Sequence, residues 1–149
     1  MDANTPFLDT SYLVRLYLED AGFARVRQFA ARGPALAAAW HGQAEVVAAL
    51  HRAYREGRFS RERYLFALSQ FELERCCDGF VWHAFTAEVQ TRLEQAFRTA
   101  LATTFLRAAD ALHLACAAAY GHREVYSHDR QFLAAAPLFG LRGIDILES

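Results

Sequence analysis

The sequence predicts an α/β protein in which a central parallel sheet carries helices on both faces. Short apolar segments alternate along the 149 residues with longer segments whose apolar residues recur three and four positions apart. A helix between two strands carries the chain back across the sheet, so this alternation favours parallel pairing. In addition, residues 105–120 form a nearly continuous apolar stretch interrupted only by Arg107, Asp110 and His113, as expected for a buried central helix.

Five segments are predicted to be strands because they are short, apolar and bounded by turn or capping residues. They are residues 5–8, 35–40, 79–85, 124–127 and 144–147. The second segment, ALAAAW, has a weak strand signal because alanine is a poor strand former. The last segment is expected at an edge of the sheet.

Seven helices are predicted from apolar periodicity and from the residues that begin and end them. The first begins at Thr10 or Ser11, either of which can cap it. The others are residues 22–31, 43–56, 60–75, 89–100, 105–120 and 130–136. Gly57 and Gly121 mark the ends of two of these helices.

The composition predicts one globular domain over residues 1–149. Hydrophobic residues make up 54% of the chain and charged residues 22%, which are ordinary values for a folded domain. No apolar run is long enough for a membrane span and no basic-then-apolar leader precedes the first predicted strand, so we expect a cytoplasmic protein. Cys76, Cys77 and Cys116 show no CxxC spacing, and we expect them to be packing residues.

The charge pattern argues against several functions. A net charge of −1 is unfavourable for nucleic-acid binding through an overall positive field. All 16 basic residues are arginine, and the absence of lysine excludes Schiff-base chemistry and the phosphate-binding lysine of P-loop enzymes. RNA binding would therefore need arginines around a site whose own negative charge is offset by a metal ion.

Four carboxylates are expected at one edge of the sheet. Asp9 and Asp129 follow predicted strands, and Glu45 and Asp110 lie near the starts of predicted helices that can point at the same edge. Converging carboxylates repel one another and raise each other's pKa values unless a divalent cation holds them. Mg²⁺ or Mn²⁺ suits oxygen-only ligands, and such sites activate water for attack on phosphodiesters.

Asp110 has two interpretations at this point. As a metal ligand it would lie among other carboxylates, and its replacement by asparagine should stabilise the metal-free fold. As a structural acid it would pair with Arg107 three residues earlier, and the same substitution should destabilise the fold.

Four segments resemble the PIN-domain nucleases and occur in the same order as in that family. They are TPFLDTSYLVRLYL (residues 5–18), AEVVAAL (44–50), RAADALHLA (107–115) and YSHDRQF (126–132). The chain length and the REGRFS turn (55–60) are similar to the VapC branch, the ribonuclease half of type II toxin–antitoxin pairs. The resemblance implies a three-layer α/β/α fold with a central parallel sheet of about four to five strands.

The resemblance also implies a Mg²⁺- or Mn²⁺-dependent endoribonuclease that leaves 5′-phosphate and 3′-hydroxyl ends. Its acidic quartet corresponds to Asp9 and Asp110 as direct metal ligands, with Glu45 and Asp129 completing the pocket. The small hydroxyl residues that orient a carboxylate or a water correspond to Ser11 and Ser127. The implied partners are an RNA substrate, a second copy in a homodimer, and a cognate VapB-like antitoxin that inserts an arginine among the acids.

Several alternatives remain open. His113 is three residues after Asp110 and could be a metal ligand, but packing or a hydrogen bond to a neighbouring group fits a carboxylate site better. Trp40, Trp82, Phe80 and Phe85 could stack on RNA bases or belong to the core.

Two other function classes fit part of the sequence. A haloacid-dehalogenase-like phosphatase also begins with a strand and an aspartate, but it needs a second aspartate where Ser11 stands and usually a lysine. A non-catalytic PIN-like module that binds only RNA or protein is the other class, and the presence of all four acids weighs against it.

Overall fold

A five-stranded parallel sheet organises residues 5–148, the part of the chain that the computed structural model describes. Its strands are β1 Phe7–Leu8, β2 Leu36–Ala39, β3 Phe80–His83, β4 Glu124–Tyr126 and β5 Arg142–Ile144. The strand order is β3-β2-β1-β4-β5, and every neighbouring pair is parallel. The α/β class and the number of strands predicted from the sequence are therefore confirmed.

In the described part of the chain, seven α-helices cover the two faces of this sheet. They are α1 Thr10–Leu13, α2 Phe23–Ala30, α3 Gly42–Arg55, α4 Arg61–Glu74, α5 Ala87–Thr99, α6 Ala108–Ala119 and α7 Arg130–Ala135. Short 3-10 helices follow α1 at Val14–Leu16 and α7 at Ala136–Phe139. Within residues 5–148, none of these helices is long and apolar enough to cross a membrane.

Two apolar clusters lie on opposite faces of the sheet because successive strand residues point in opposite directions. Leu8 and Ala38 belong to the cluster formed with α1, α2, α3 and α4. Phe7 and Ala37 belong to the cluster formed with α5, α6 and α7. The fold therefore has three layers, with the sheet in the middle.

The alanine-rich segment is a fully buried strand despite its weak propensity. All four residues of β2 are buried, and the strand pairs with β1 on one side and β3 on the other. Small side chains suit a strand that is covered on both faces, because they let helices pack close to the backbone. Burial therefore overrides propensity at this position.

Three local predictions are wrong. The edge strand was expected at residues 144–147, but β5 starts at Arg142 and includes Gly143, where an added Cβ would lie 3.1 Å from the backbone of Leu133. This close approach requires glycine. Because glycine in a sequence is normally evidence against a strand, the pattern placed the start of this strand after Gly143. Asp9 caps α1 in place of Thr10 or Ser11, since its carboxylate accepts the backbone N–H of Tyr12.

The third wrong prediction concerns the cysteines. Cys116 is buried in α6 as expected, but Cys76 and Cys77 are exposed beyond the end of α4. They lie in the turn that connects α4 to β3, where the chain runs over the surface.

Candidate active site at the carboxyl edge of the sheet

The four acidic residues singled out in the sequence lie at the edge of the sheet where the strands end. Asp9 directly follows β1, and Asp129 follows β4 and caps α7. Glu45 lies in the first turn of α3, and Asp110 lies in the first turn of α6. Open parallel sheets bind their ligands at this edge.

Asp9 is buried between two serines. Its residue surface is 5% exposed, Ser11 Oγ donates to Oδ1 at 2.6 Å, and Ser127 Oγ donates to Oδ2 at 2.8 Å. Burial raises the pKa of Asp9 to about 6, although the serine hydrogen bonds, the charge of His113 and the N–H of Tyr12 act in the opposite direction. Asp9 is thus a carboxylate that the fold orients but does not neutralise.

The same two serines connect the end of β1 with the end of β4. Ser11 Oγ accepts the backbone N–H of His128 at 3.0 Å, and Ser127 Oγ accepts the backbone N–H of Asp129 at 2.9 Å. The two hydroxyl oxygens are 3.3 Å apart. This network fixes the position of Asp9 relative to the loop that carries Asp129.

Arg107 links the other two aspartates. Its Nε donates to Asp110 Oδ2 at 2.9 Å, and its Nη2 donates to Asp129 Oδ2 at 2.7 Å. The side chain of Arg107 is 51% exposed, whereas that of Asp110 is 16% exposed. The structure therefore contains the ion pair between Asp110 and Arg107 that one of the two interpretations of Asp110 requires. The guanidinium of Arg107 also offsets the repulsion between the carboxylates of Asp110 and Asp129.

Glu45 faces two histidines. His113 Nε2 is 2.5 Å from Glu45 Oε1, Thr10 Oγ1 donates to the same oxygen at 3.1 Å, and His41 Nε2 is 3.4 Å away. Burial alone would raise the pKa of Glu45, but the hydrogen bond and charge of His113, together with His41 and Thr10, lower it overall. His113 is 2% exposed, in agreement with its interpretation as a packed, hydrogen-bonding residue.

The predicted quartet is therefore divided among three hydrogen-bonded groups. Asp9 lies with the serines, Asp110 and Asp129 share Arg107, and Glu45 lies with His41 and His113. Within residues 5–148, the only His, Cys, Asp and Glu ligand atoms that gather within 4.8 Å of one another in a group of three or more are those of His41, Glu45 and His113.

Sequence reasoning did not single out His41, nor the second contact of Arg107. His41 precedes Glu45 by four residues, a spacing that places the two side chains on the same face of a helix. That spacing could have identified His41. The contact between Arg107 and Asp129 spans 22 residues, and no local pattern encodes it.

The edge offers two kinds of donor set. Asp9, Asp110 and Asp129 supply only carboxylate oxygens, which suit Mg²⁺ or Mn²⁺. The group of His41, Glu45 and His113 supplies two imidazole nitrogens and one carboxylate, which suits transition metals such as Zn²⁺. Two ring nitrogens of this second set, His41 Nε2 and His113 Nδ1, are buried without a hydrogen-bond partner.

Comparison with known proteins identifies one family and several similar structures. The PIN domain model matches residues 7–137. The fold is similar to that of Mycobacterium tuberculosis VapC20, described as a sarcin–ricin loop cleaving toxin, with 20% identity, a TM-score of 0.66, and coverage of 88% of this chain and 95% of that chain. It is also similar to VapBC2 from Rickettsia felis bound to a DNA fragment from its promoter, with 13% identity, a TM-score of 0.67, and coverage of 95% and 98%. The comparison with curated proteins gave no match.

Proposed function

This chain belongs to the PIN domain family, and on that premise we propose that it is a divalent-metal-dependent endoribonuclease, the VapC-like toxin of a toxin–antitoxin pair. The two similar structures are a toxin that cleaves an RNA loop and a toxin–antitoxin complex, which supports this choice within the family. The protein would act on RNA in the cytoplasm and hydrolyse phosphodiesters to 5′-phosphate and 3′-hydroxyl ends.

The observation that carries the proposal is the environment of Asp9. A buried carboxylate is costly unless it is paired or coordinates a metal. Among the ion pairs of residues 5–148, none includes Asp9, yet Ser11 and Ser127 hold both of its oxygens in fixed directions. A buried carboxylate that is held in a fixed orientation but has no ion pair is expected of a metal ligand.

The oxygen donors at this edge fit a hard divalent cation. We assign Asp9 and Asp110 as direct ligands of Mg²⁺ or Mn²⁺, and Glu45 and Asp129 as the acids that complete the pocket. The cation would supply Lewis acidity toward the phosphodiester and the attacking water. Ser11 and Ser127 would keep Asp9 in its orientation through the hydrogen bonds described above.

Arg107 would have a separate role. Its guanidinium is half exposed and lies between two carboxylates, so it brings positive charge to an acidic edge that must receive an RNA phosphate. An arginine fork binds phosphate oxygens with the same geometry as carboxylate oxygens. Arg107 would therefore hold Asp110 and Asp129 in place and attract the phosphate backbone.

A groove beside this edge supports the antitoxin part of the proposal. One cleft of about 540 Å³ lies between α3 and α4 and includes Val47, Ala48 and Phe71. A second cleft of about 470 Å³ shares Ala48 with the first and extends to Glu45. An apolar helix of a VapB-like partner could lie in the groove and direct an arginine toward the acids. A homodimer is proposed on family grounds alone.

The test is RNA cleavage with matched variants. Structured RNAs are incubated with purified protein in Mg²⁺ or Mn²⁺, with and without EDTA, and the new ends are analysed. We expect metal-dependent cleavage that is lost in Asp9→Asn and retained in Asp78→Asn, an exposed aspartate just before β3 at the opposite edge. Cleavage that survives chelation, or that leaves 2′,3′-cyclic ends, would contradict the proposed mechanism.

The alternative is a non-catalytic module that binds RNA or protein. The observation in its favour is Arg107, which already pairs with two of the four acids. In that case RNA would bind without being cut in any divalent metal, and Arg107→Gln would weaken binding to the same extent with or without EDTA.

A further inference from the structure

We propose that an apolar pocket beside the acidic edge binds one unpaired nucleobase of the RNA, next to the phosphodiester that is cleaved; this inference rests on the proposed function. The pocket, called here the aromatic pocket, has a volume of about 330 Å³. Its lining includes Trp40, His41, Phe85, Val89, Leu112 and Cys116. Its size lies at the lower end of the range for small-molecule sites and suits a planar ring system.

The aromatic pocket shares a wall with the acidic edge. Trp40 and His41 directly follow β2, and Phe85 follows β3 by two residues, so the pocket lies at the same ends of the strands as Asp9. His41 lines the pocket, while its Nε2 is 3.4 Å from Glu45 Oε1. A nucleotide whose phosphate lies at the acids can therefore place its base in the pocket.

The structure separates the four aromatic residues that the sequence left ambiguous. Phe80 and Trp82 stack on each other at 5.1 Å and pack against the apolar core, and Trp82 Nε1 donates to the carbonyl of Arg75. Trp40 and Phe85 are instead 59% exposed, although both line an apolar pocket. Large rings beside an apolar pocket form a stacking surface for bases.

His41 connects the aromatic pocket with the acidic edge. His41 Nε2 is buried and has no hydrogen-bond partner, although Glu45 lies near it. Buried polar atoms normally have a partner, and the edge of a nucleobase offers both donors and acceptors. A base in the aromatic pocket could therefore stack on Trp40 and Phe85 and contact the ring of His41.

This arrangement restricts the substrate class. A base that enters the pocket must be free of Watson–Crick pairing and of its neighbours in the strand. The preferred substrates are therefore RNAs with an unpaired nucleotide at the cleavage position, in a loop, a bulge or a single strand.

The binding experiment uses Trp40 as its own probe and does not require catalysis. A short single-stranded RNA is titrated into the full chain with Ca²⁺ in place of Mg²⁺, so that a cation offsets the acidic charge, while tryptophan fluorescence is recorded. We expect quenching in the wild type and little quenching in Trp40→Phe, which keeps a stacking ring but removes the probe. A series of RNAs with one abasic position each should contain one member that binds about tenfold to a hundredfold more weakly.

Matched variants link the effect to the pocket. Trp40→Ala and Phe85→Ala should each weaken RNA binding about tenfold or more, measured by anisotropy of labelled RNA, whereas Trp40→Phe should stay near the wild type. Phe66→Ala on α4 is the control, since Phe66 is 72% exposed and does not line the pocket. The three side chains changed in these four variants are all exposed rings, so the variants should unfold at the same denaturant concentration as the wild type.

Several outcomes would overturn the inference. Equal affinity for every abasic RNA, or unchanged RNA binding in Trp40→Ala and Phe85→Ala, means that no base occupies the pocket. If Trp40→Ala converts a dimer to a monomer in sedimentation without changing RNA affinity, the pocket is an interface with a second copy. Base-dependent quenching in a protein that never cleaves RNA would refute the nuclease proposal while supporting the pocket.

Discussion

Replacing Asp9 by asparagine should stabilise the metal-free fold at neutral pH while abolishing cleavage. The pKa of Asp9 is about 6 in the folded protein and 3.8 when the group is unperturbed. That difference corresponds to about 3 kcal/mol at pH 7, which is the cost of keeping the buried group ionised. Asparagine removes this cost but loses part of the strength of the serine hydrogen bonds, so we expect a net gain of about 1–3 kcal/mol.

The structure indicates that the substitution leaves the fold intact. Asparagine has nearly the same volume as aspartate and is an equally good cap for the start of α1. Its carbonyl can accept from one serine, and its amide can donate to the other once that hydroxyl rotates, since Ser11 and Ser127 are both donors and acceptors.

The pH dependence of folding stability provides an independent check on whether Asp9→Asn stabilises or destabilises the fold. Because the folded pKa is raised, the carboxyl group favours folding below about pH 4, and this contribution is lost as the pH rises through about 6. The variant should therefore be close to the wild type near pH 4 and more stable by the full amount at about pH 7.

The assay is a urea melt of both proteins in EDTA at several pH values, repeated with Mn²⁺. Only the wild type should gain stability from the metal, by mass action. Asp78→Asn serves as the control for loss of an exposed charge. If Asp9→Asn is less stable than the wild type at pH 7 in EDTA, the serine hydrogen bonds outweigh burial and the reasoning is refuted.

Three further predictions follow from the ion pairs and the burial. Asp110→Asn should abolish cleavage yet change the free energy of unfolding in EDTA by no more than about 1 kcal/mol, because its partner Arg107 is half exposed. A larger gain in a urea melt would mean that Arg107 does not offset the repulsion between Asp110 and Asp129. Burial, with the charge of a neighbouring histidine, lowers the pKa of His83 to about 4, so the contribution of His83 to folding stability should be fully present above about pH 6.5 and be lost, by up to about 3 kcal/mol, as the pH falls from about 6.5 to about 4. His83→Phe should flatten that part of the profile, and an unchanged profile would contradict it. Ala48→Trp, at an exposed position shared by both clefts, should prevent co-purification of the co-expressed antitoxin while leaving RNA cleavage intact, and retained binding would place the partner elsewhere.

Much of the fold was predictable because its signals are local. Alternating strands and helices gave the parallel sheet, and the apolar stretch gave α6, although the helix itself starts at Ala108 and residues 105–107 lie outside it. β5 could not be located correctly because Gly143 is required by a contact with Leu133, which is distant in sequence. The prediction of a single domain over residues 1–149 stays a prediction.

The position of the candidate site was predictable from the sequence, but the hydrogen-bond and ion-pair partners of its acids were not. Strand ends and helix starts are local features, and they placed Asp9, Glu45, Asp110 and Asp129 at one edge. The partner of each acid depends on tertiary contacts, such as the approach of His113 to Glu45 across 68 residues. Their roles as metal ligands and catalytic groups stay proposals.

The aromatic residues illustrate the same limit. Both Trp40 and Trp82 lie in segments predicted to be strands, and where each strand ends decides whether its tryptophan is packed or exposed. Trp82 lies within β3 and is half-buried against the core, whereas Trp40 lies just past β2 and is exposed. Hydrophobic periodicity cannot resolve a difference of one residue at a strand end.

Mn²⁺ binding measured by electron paramagnetic resonance tests most directly whether the carboxylates hold the cation. The titration compares the wild type with Asp9→Asn, Asp110→Asn and His41→Ala in the absence of RNA. Mn²⁺ affinity should fall at least tenfold in both aspartate variants and stay near the wild-type value in His41→Ala, because His41 belongs only to the group with Glu45 and His113. Loss of binding in His41→Ala with retention in Asp110→Asn would place the metal at the histidines and contradict the assignment of the acidic edge.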